Sequence, residues 1–294
     1  MTLESYVLHI TKKCNMQCKY CYETDKTSEY TWDEIKYTLD NIIKYNKEFN
    51  LEFLGGEPCL EPEYIRRTVE YLTHLGININ YTITTNGTIL SDDLIELLKE
   101  YPNISWAASM DGNRFMNCLR VTKDGYNSYN LVISNHKKLE SIIDINRIHI
   151  HMVTHPFNIS FFVKGIEDLY SNGIRNIGVG TVETTIKIGR EYCLEFIKQH
   201  DILSENYINN KYPGLSISSF EYLKPRNDKR YYIKDENNKT ILETYGRVEN
   251  DIKDSVEFKS NPSTSDLGDT IVNLREIVYL RHQKRKELMK NDNS

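Results

Sequence analysis

Three cysteines near the start of the chain are spaced for metal chemistry, in the stretch Cys14-Asn-Met-Gln-Cys18-Lys-Tyr-Cys21. They sit on a short polar loop directly after an apolar run, Tyr6-Val-Leu-His-Ile10. A loop this tight can fold three thiolates around one corner of an iron–sulfur cluster, whose irons take thiolate ligands. Four cysteines would close every iron. Three leave one iron open, and an open metal position is where chemistry happens. The competing readings are a zinc knuckle and a set of buried thiols. Zinc wants a fourth ligand, and the candidates are His9 on the preceding run and Cys59 far along the chain.

The elements that must position this loop alternate between strand and helix. Thr31-Trp-Asp-Glu34 reads as a capping box, followed by Ile35, Leu39, Ile42 and Ile43 on one helical face. Leu51-Glu-Phe-Leu54 is a second strand, and Pro62 opens a helix with Ile65, Val69, Leu72 and Leu75 in phase, stopped by Gly76. Residues 77–84 and 104–109 give a third and a fourth strand, with a helix capped by Ser91 between them. A helix over 126–139, a fifth strand over 147–153, a helix from Asn158, a sixth strand over 174–179 and a helix over 191–208 complete the series. Such alternation predicts an α/β fold of parallel βαβ units. Six units are too few for a closed eight-stranded barrel, so a partial (β/α)6 barrel is expected. From about residue 212 the pattern changes. A hairpin over 230–243, turning at 235–238, is followed by Asp266-Leu-Gly268-Asp and a final helix through Ile271, Leu274, Ile277 and Val278. The predicted division is therefore a barrel over 1–211 and a small α+β C-terminal cap over 212–294.

Loops at the C-terminal ends of parallel strands are where such folds place their active sites. Gly55-Gly56-Glu57-Pro58 follows the second strand; paired glycines let the backbone approach a ligand, and one carboxylate can accept from an ammonium. Thr85-Asn86-Gly87 follows the third, where Asn-Gly is also a common turn. The fourth ends in Ser109-Met-Asp111-Gly112, with Arg120 further along the same loop; its guanidinium fork suits a carboxylate. In the fifth, Arg147, His149 and His151 alternate with apolar residues, which puts a polar face toward the lumen. These histidines read as groups touching cofactor or substrate, since no carboxylate or cysteine stands at ligand spacing for a second metal. Gly178 and Gly180, past the sixth strand, offer backbone contact.

The stretch from Cys14 to Cys21, with the aromatic Tyr20 just before the third cysteine, resembles the cluster loop of the radical S-adenosylmethionine (SAM) enzymes. The resemblance implies that Cys14, Cys18 and Cys21 hold one 4Fe-4S cluster, whose open iron chelates the amino and carboxylate groups of SAM. One electron, from a donor such as flavodoxin or ferredoxin, then splits SAM to a radical that abstracts hydrogen. It also implies a six-stranded open barrel with Gly55, Gly56, Glu57 and Pro58 at the SAM amino group. Thr85 and Asn86 would lie beside the cofactor, with Ser109, Asp111 and Arg120 toward its carboxylate and ribose and His151 in the lumen touching cofactor or substrate. The loop from Ser109 through Lys123-Asp-Gly-Tyr-Asn-Ser resembles the branch with SPASM or Twitch C-terminal domains, which includes peptide-modifying enzymes and anaerobic sulfatase maturases. The chain departs from that branch in having no cysteine after Cys193, so the auxiliary-cluster ligands are missing.

That likeness implies a modifier of a peptide or protein side chain, such as a ribosomal peptide. Against it, no peptide-recognition domain precedes the first strand. The alternative substrates are a sugar, aminoglycoside or nucleoside, and the third reading is an inactive SAM- or zinc-binding protein. Cys118 is the one candidate catalytic residue, as a thiol returning hydrogen to a substrate radical; its plainer role is a small apolar filler. The composition limits the rest. At 294 residues the chain can bury a substantial core, and its formal net charge of −5 gives no basic footprint for nucleic acid. No apolar run is long enough to span a membrane and no signal peptide is apparent, so a cytoplasmic protein is expected. There, six cysteines point to metal or catalysis before disulfides.

Overall fold

Burial alternates along the strands of the protein and sorts their residues into two faces. The computed structural model describes residues 4–182, 189–221, 230–234, 240–245 and 265–292. In β2 (Phe49–Gly55), Phe49, Leu51 and Phe53 are buried while Asn50, Glu52 and Leu54 keep partial access to solvent. The same period of two runs through β3 (Asn80–Thr85), β5 (Ile148–Thr154) and β6 (Asn176–Thr181). Together with β1 (Glu4–Thr11) and β4 (Ile104–Ser109), these make the expected six parallel strands in consecutive order. A two-residue seventh, β7 (Ser216–Ile217), pairs parallel with β6. The sheet is open, not closed.

The intervening helices are α1 (Trp32–Tyr45), α2 (Pro62–His74), α3 (Asp92–Glu100), α4 (Tyr129–Glu140), α5 (Phe162–Ser171) and α6 (Arg190–Ile208), followed by a single turn, α7 (Ser218–Glu221). Helix α1 starts in the predicted capping box, with Thr31 and Glu34 bonded reciprocally, and Ser91 caps α3 through the Leu94 amide at 3.3 Å. Leu8, Phe53, Ile83, Trp106 and Ile150 on the strands join Ile35, Leu39, Ile65, Val69 and Leu98 on the helices in one core, each 2 % exposed or less. Burying a side chain of this size contributes about 1.5–3 kcal/mol.

Two expectations change. Arg147 lies in the short turn before β5 and does not face the lumen: its guanidinium donates to the carbonyls of Leu98, Tyr101 and Ile104 at 2.7–3.0 Å. It thereby satisfies carbonyls at the C-terminal end of α3, where a cation also complements the helix dipole. The last helix, α8 (Ser265–Asp292), takes in Asp266-Leu-Gly268-Asp, because one glycine lowers helix propensity by about 1 kcal/mol and does not end a helix. The hairpin exists as β8 (Arg230–Lys234) and β9 (Thr240–Tyr245); its turn falls outside the described residues. Strand β9 runs antiparallel to β1, from Ser5↔Tyr245 to Leu8↔Leu242, so the hairpin extends the sheet beyond its first strand. Among the described residues no helix is long and apolar enough to cross a membrane.

Candidate active site

The cysteine loop leaves β1 and is fixed on both sides by backbone bonds. The Lys12 amide donates to Ser28, and those of Gln17 and Lys19 donate to Val121 and Leu119 at 2.8 and 2.9 Å. Residues 16–19 thus lie against the loop that follows β4. On the other side, the Gly56 and Glu57 amides donate to the Thr11 and Lys13 carbonyls, both at 2.8 Å. A Cβ on Gly55 would sit 2.0 Å from the Thr11 oxygen, and one on Gly56 would sit 2.3 Å from the oxygens of both Lys12 and Lys13. The glycine pair therefore admits the backbone of the cysteine loop itself. A Cys21 to Cys18 backbone bond of 3.3 Å closes the last turn.

Glu57 is fully buried and works as a staple. Its carboxylate accepts from the Cys59 amide at 3.0 Å, the Thr85 hydroxyl at 2.6 Å and the Asn86 amide at 2.7 Å. Burial pushes its pKa up, against the pull of those three donors. Pro58 opens a single 3-10 turn, Pro58–Leu60, which Glu57 caps. Asn86, locked in turn, donates to Asn15 at 2.7 Å and approaches the Cys14 sulfur at 3.9 Å. The Met16 amide reaches the same sulfur at 3.4 Å. Asn15 was not singled out in the sequence, although it stands inside the cysteine spacing.

A second buried group forms at the end of β4. Asp111 accepts from the Tyr20 hydroxyl, from Arg120 Nε at 2.9 Å and from the Val153 amide at 3.1 Å. The Arg120 guanidinium stands over the Tyr20 ring, 5.3 Å from its centroid. Burial alone would lower the Arg120 pKa, but Asp111, then Tyr20 and Cys18, outweigh it and hold the charge firmly. Its two terminal nitrogens have no hydrogen-bond partner among the described residues. Asn117, fully buried and unmarked in the sequence, fixes Asp111 by accepting from its amide at 3.0 Å.

Ser109 and His151 are register partners on β4 and β5, near the same strand ends. His151 is accessible to solvent yet deeply enclosed by protein, as a lumen residue is; burial, then His149 and Arg120, pushes its pKa down to about 4. Burial lowers His149 too, so both imidazoles are neutral at pH 7. Gly178 makes room for the His151 ring, since a Cβ there would lie 3.0 Å from its Cδ2. Cys118 sits in a 3-10 turn, Met116–Leu119, partly exposed, its thiol pushed up by burial and by Asp111.

The model of the radical SAM superfamily matches residues 8–160. The chain belongs to the radical SAM superfamily. Among radical SAM proteins it is similar to the cyclopropyl synthase TigE of Paramaledivibacter caminithermalis, 29% identical over 199 residues that cover 60% of this chain and 41% of that protein. It is also 29% identical over 158 residues to the cysteine-type anaerobic sulfatase-maturating enzyme of Clostridium novyi, covering 47% of this chain and 40% of the enzyme. The chain thus matches less than half the length of either relative. Native anSMEcpe with bound AdoMet shares the fold with a TM-score of 0.64 at 18% identity, over 74% of this chain and 64% of that one. Enzymes of the superfamily bind a 4Fe-4S cluster and SAM.

The residues present fit such a cluster. Burial raises the Cys18 pKa against the pull of Arg120, and the thiols of Cys21 and Cys14 are near enough to raise it further. Burial raises Cys14 as well, against the amides that point at its sulfur. The three thiols are gathered, yet among the described residues no three Cys, His, Asp or Glu side chains converge as one ion would require. Thiolates on three separate irons have no need of a common centre, whereas a zinc ion does.

Proposed function

We propose that this chain is a radical SAM enzyme whose Cys14, Cys18 and Cys21 ligate the cluster and which modifies a peptide or protein side chain. What carries the reading is the union of the three-cysteine loop with two buried carboxylate networks at the strand ends. One is built on Glu57 and the other on Asp111. When bound, the cluster supplies the electron that cleaves SAM reductively. The protein's own part is placement. Glu57 fixes Thr85 and Asn86, and Asn86 in turn touches the loop beside Cys14. Asp111 orients Arg120 so that its outer nitrogens can meet a carboxylate, with a bidentate fork suited to that group. Neutral His151 offers a donor or an acceptor to a bound hydroxyl without adding charge. Support for a peptide substrate comes from the relatives, a sulfatase-maturating enzyme among them, and from a related structure of anSMEcpe that holds AdoMet with the Cp18Cys peptide.

The test is anaerobic reconstitution of the full chain, followed by electron paramagnetic resonance (EPR) with and without SAM. The expected result is a reduced cluster whose spectrum shifts when SAM is added. A spectrum indifferent to SAM, or a protein that takes up zinc alone, would overturn the reading. Product analysis with candidate peptides then decides the substrate class.

A further inference from the structure

Between the cysteine loop and the loop after β3, three polar side chains close a ring. Asn15 Nδ2 donates to the Thr88 hydroxyl at 2.9 Å, and that hydroxyl donates to Asn86 Oδ1 at 2.7 Å. Asn86 Nδ2 donates back to Asn15 Oδ1 at 2.7 Å. The Thr88 backbone amide also donates to Asn86 Oδ1, at 2.9 Å. A backbone N–H can only donate, so this bond decides which end of the Asn86 amide is its oxygen. The nitrogen must then face Asn15, which answers with its own oxygen and turns its nitrogen to Thr88. One backbone amide thus sets the direction of the whole ring.

The ring is also fastened from behind. Glu57 holds the Asn86 amide, and Asn135 on α4 donates to the Gly87 carbonyl at 2.9 Å. Gly87 sits at φ +73°, where a Cβ would press to 2.9 Å from Ala108 and 3.1 Å from Val132. Asn86 Nδ2 carries two hydrogens, and one is committed to Asn15. The other is left for the sulfur of buried Cys14, 3.9 Å away. That sulfur takes a second N–H, from Met16 at 3.4 Å. Among the described residues no N–H reaches the sulfur of Cys18 or of Cys21. The three cysteines are therefore unequal, and Cys14 is the one with amide hydrogens turned toward it.

We infer that the Asn15–Thr88–Asn86 ring is a positioning device: it aims an N–H at the Cys14 thiolate and so raises the reduction potential of the cluster bound there. The inference rests on the proposed function, which places the cluster on Cys14, Cys18 and Cys21. An electron added to a bound cluster spreads negative charge onto its sulfur ligands. Hydrogen bonds to those sulfurs stabilise that charge and make the electron easier to add. No bond forms or breaks in this step. Asn86 makes the contact itself. Asn15 and Thr88 act through it, by removing the rotation that lets a side-chain amide turn its N–H away. Thr88 has no hydrogen bond to any cysteine sulfur, so its effect reports the ring alone.

The experiment is a redox titration of the reconstituted full chain with dithionite, without SAM, the reduced cluster being counted by EPR. Asn86→Ala deletes the N–H. Thr88→Val deletes the hydroxyl that closes the ring, and Thr88→Ser restores it. At the wild-type midpoint, the ratio of reduced to oxidised cluster in Asn86→Ala should be about three- to ten-fold lower, where ten-fold is about 59 mV for one electron. Thr88→Val should fall in the same direction by at least about two-fold, and Thr88→Ser should match the wild type. If Asn86→Ala takes up no iron, the two Thr88 variants decide. An unchanged midpoint in Asn86→Ala or in Thr88→Val would overturn the inference. An equal fall in Thr88→Val and Thr88→Ser would also overturn it, since packing and not the hydroxyl would then be at work. A wild-type chain that takes up no 4Fe-4S cluster would overturn the proposed function, and this inference with it.

Discussion

Replacing Glu57 by Gln tests whether this carboxylate is the tie between the second and third strand loops. Gln keeps the shape and one oxygen. Placed at Oε1, that oxygen still accepts from the Cys59 amide and the Thr85 hydroxyl. The new amide nitrogen then points its hydrogens at the Asn86 amide, which had donated to Oε2 at 2.7 Å. One bond to a charged acceptor is lost, about 1.5–3 kcal/mol, and the two survivors weaken because the acceptor is now neutral. Relief from burying a charge offsets part of this, as burial already pushes the Glu57 pKa up. The net cost is roughly 2–4 kcal/mol, a fall in midpoint of roughly 3–7 °C for a chain of this size. Denaturation of the cluster-free full chain reads it without interference from iron. If Glu57 served only to touch a bound cofactor, the Gln variant would match the wild type within about 0.5 kcal/mol. That outcome would refute the staple.

Two further substitutions separate packing from charge. Gly56→Ala must drive the Lys12 and Lys13 carbonyls aside, so iron uptake on reconstitution should fall by more than about half. Gly189→Ala, where nothing lies within 4 Å, should leave uptake unchanged and cost at most about 1 kcal/mol of stability. His282 on α8 is buried, bonded to Ser204 at 2.8 Å and stacked on Phe220; burial, then Lys286 and Arg285, pushes its pKa down to about 4. The unfolded chain binds the proton first, so this contribution is complete above about pH 6.5 and is lost as pH falls toward 4, by about 3 kcal/mol in all. Urea titrations at pH 7.5 and 5 should show about 2 kcal/mol of that loss, and His282→Gln should flatten it.

Local chemistry made part of this protein legible from sequence. The Thr31 and Ser91 caps, the Gly76 stop and the period-two strands depend on neighbours a few residues away, and all appear. Strand ends moved where pairing overrode propensity: Ile77 and Ile79 belong to the third apolar run but are buried ahead of β3, which starts at Asn80. The cysteine loop was legible because three cysteines fall within eight residues. Its supports were not. Tyr20 meets Asp111 across 91 positions and Asn15 meets Asn86 across 71, and no local pattern reports either contact. The glycine pair shows the converse limit. Two missing side chains announce a close approach, but only the fold says that the approaching atoms are the carbonyls of residues 11–13.

The same geometry bears on how many clusters the chain can hold. SPASM- or Twitch-type regions hold auxiliary clusters through thiolates, and such ligation demands cysteine or an equivalent donor. Here the cysteines outside the loop are dispersed: Cys59 is buried in the turn after β2, Cys118 lies after β4, and Cys193 is on α6. None follows Cys193 in this sequence, so the hairpin has no thiolate of its own. Backbone pairing joins it to the barrel, since β9 hydrogen-bonds along β1, the strand that leads into the cysteine loop. A single cluster then leaves no relay within this chain to take an electron from a product radical. Iron and sulfide analysis should give about four of each per chain. Replacing Cys14, Cys18 and Cys21 together by Ala should remove all of both, and a cluster that survived in that variant would show that ligands exist elsewhere.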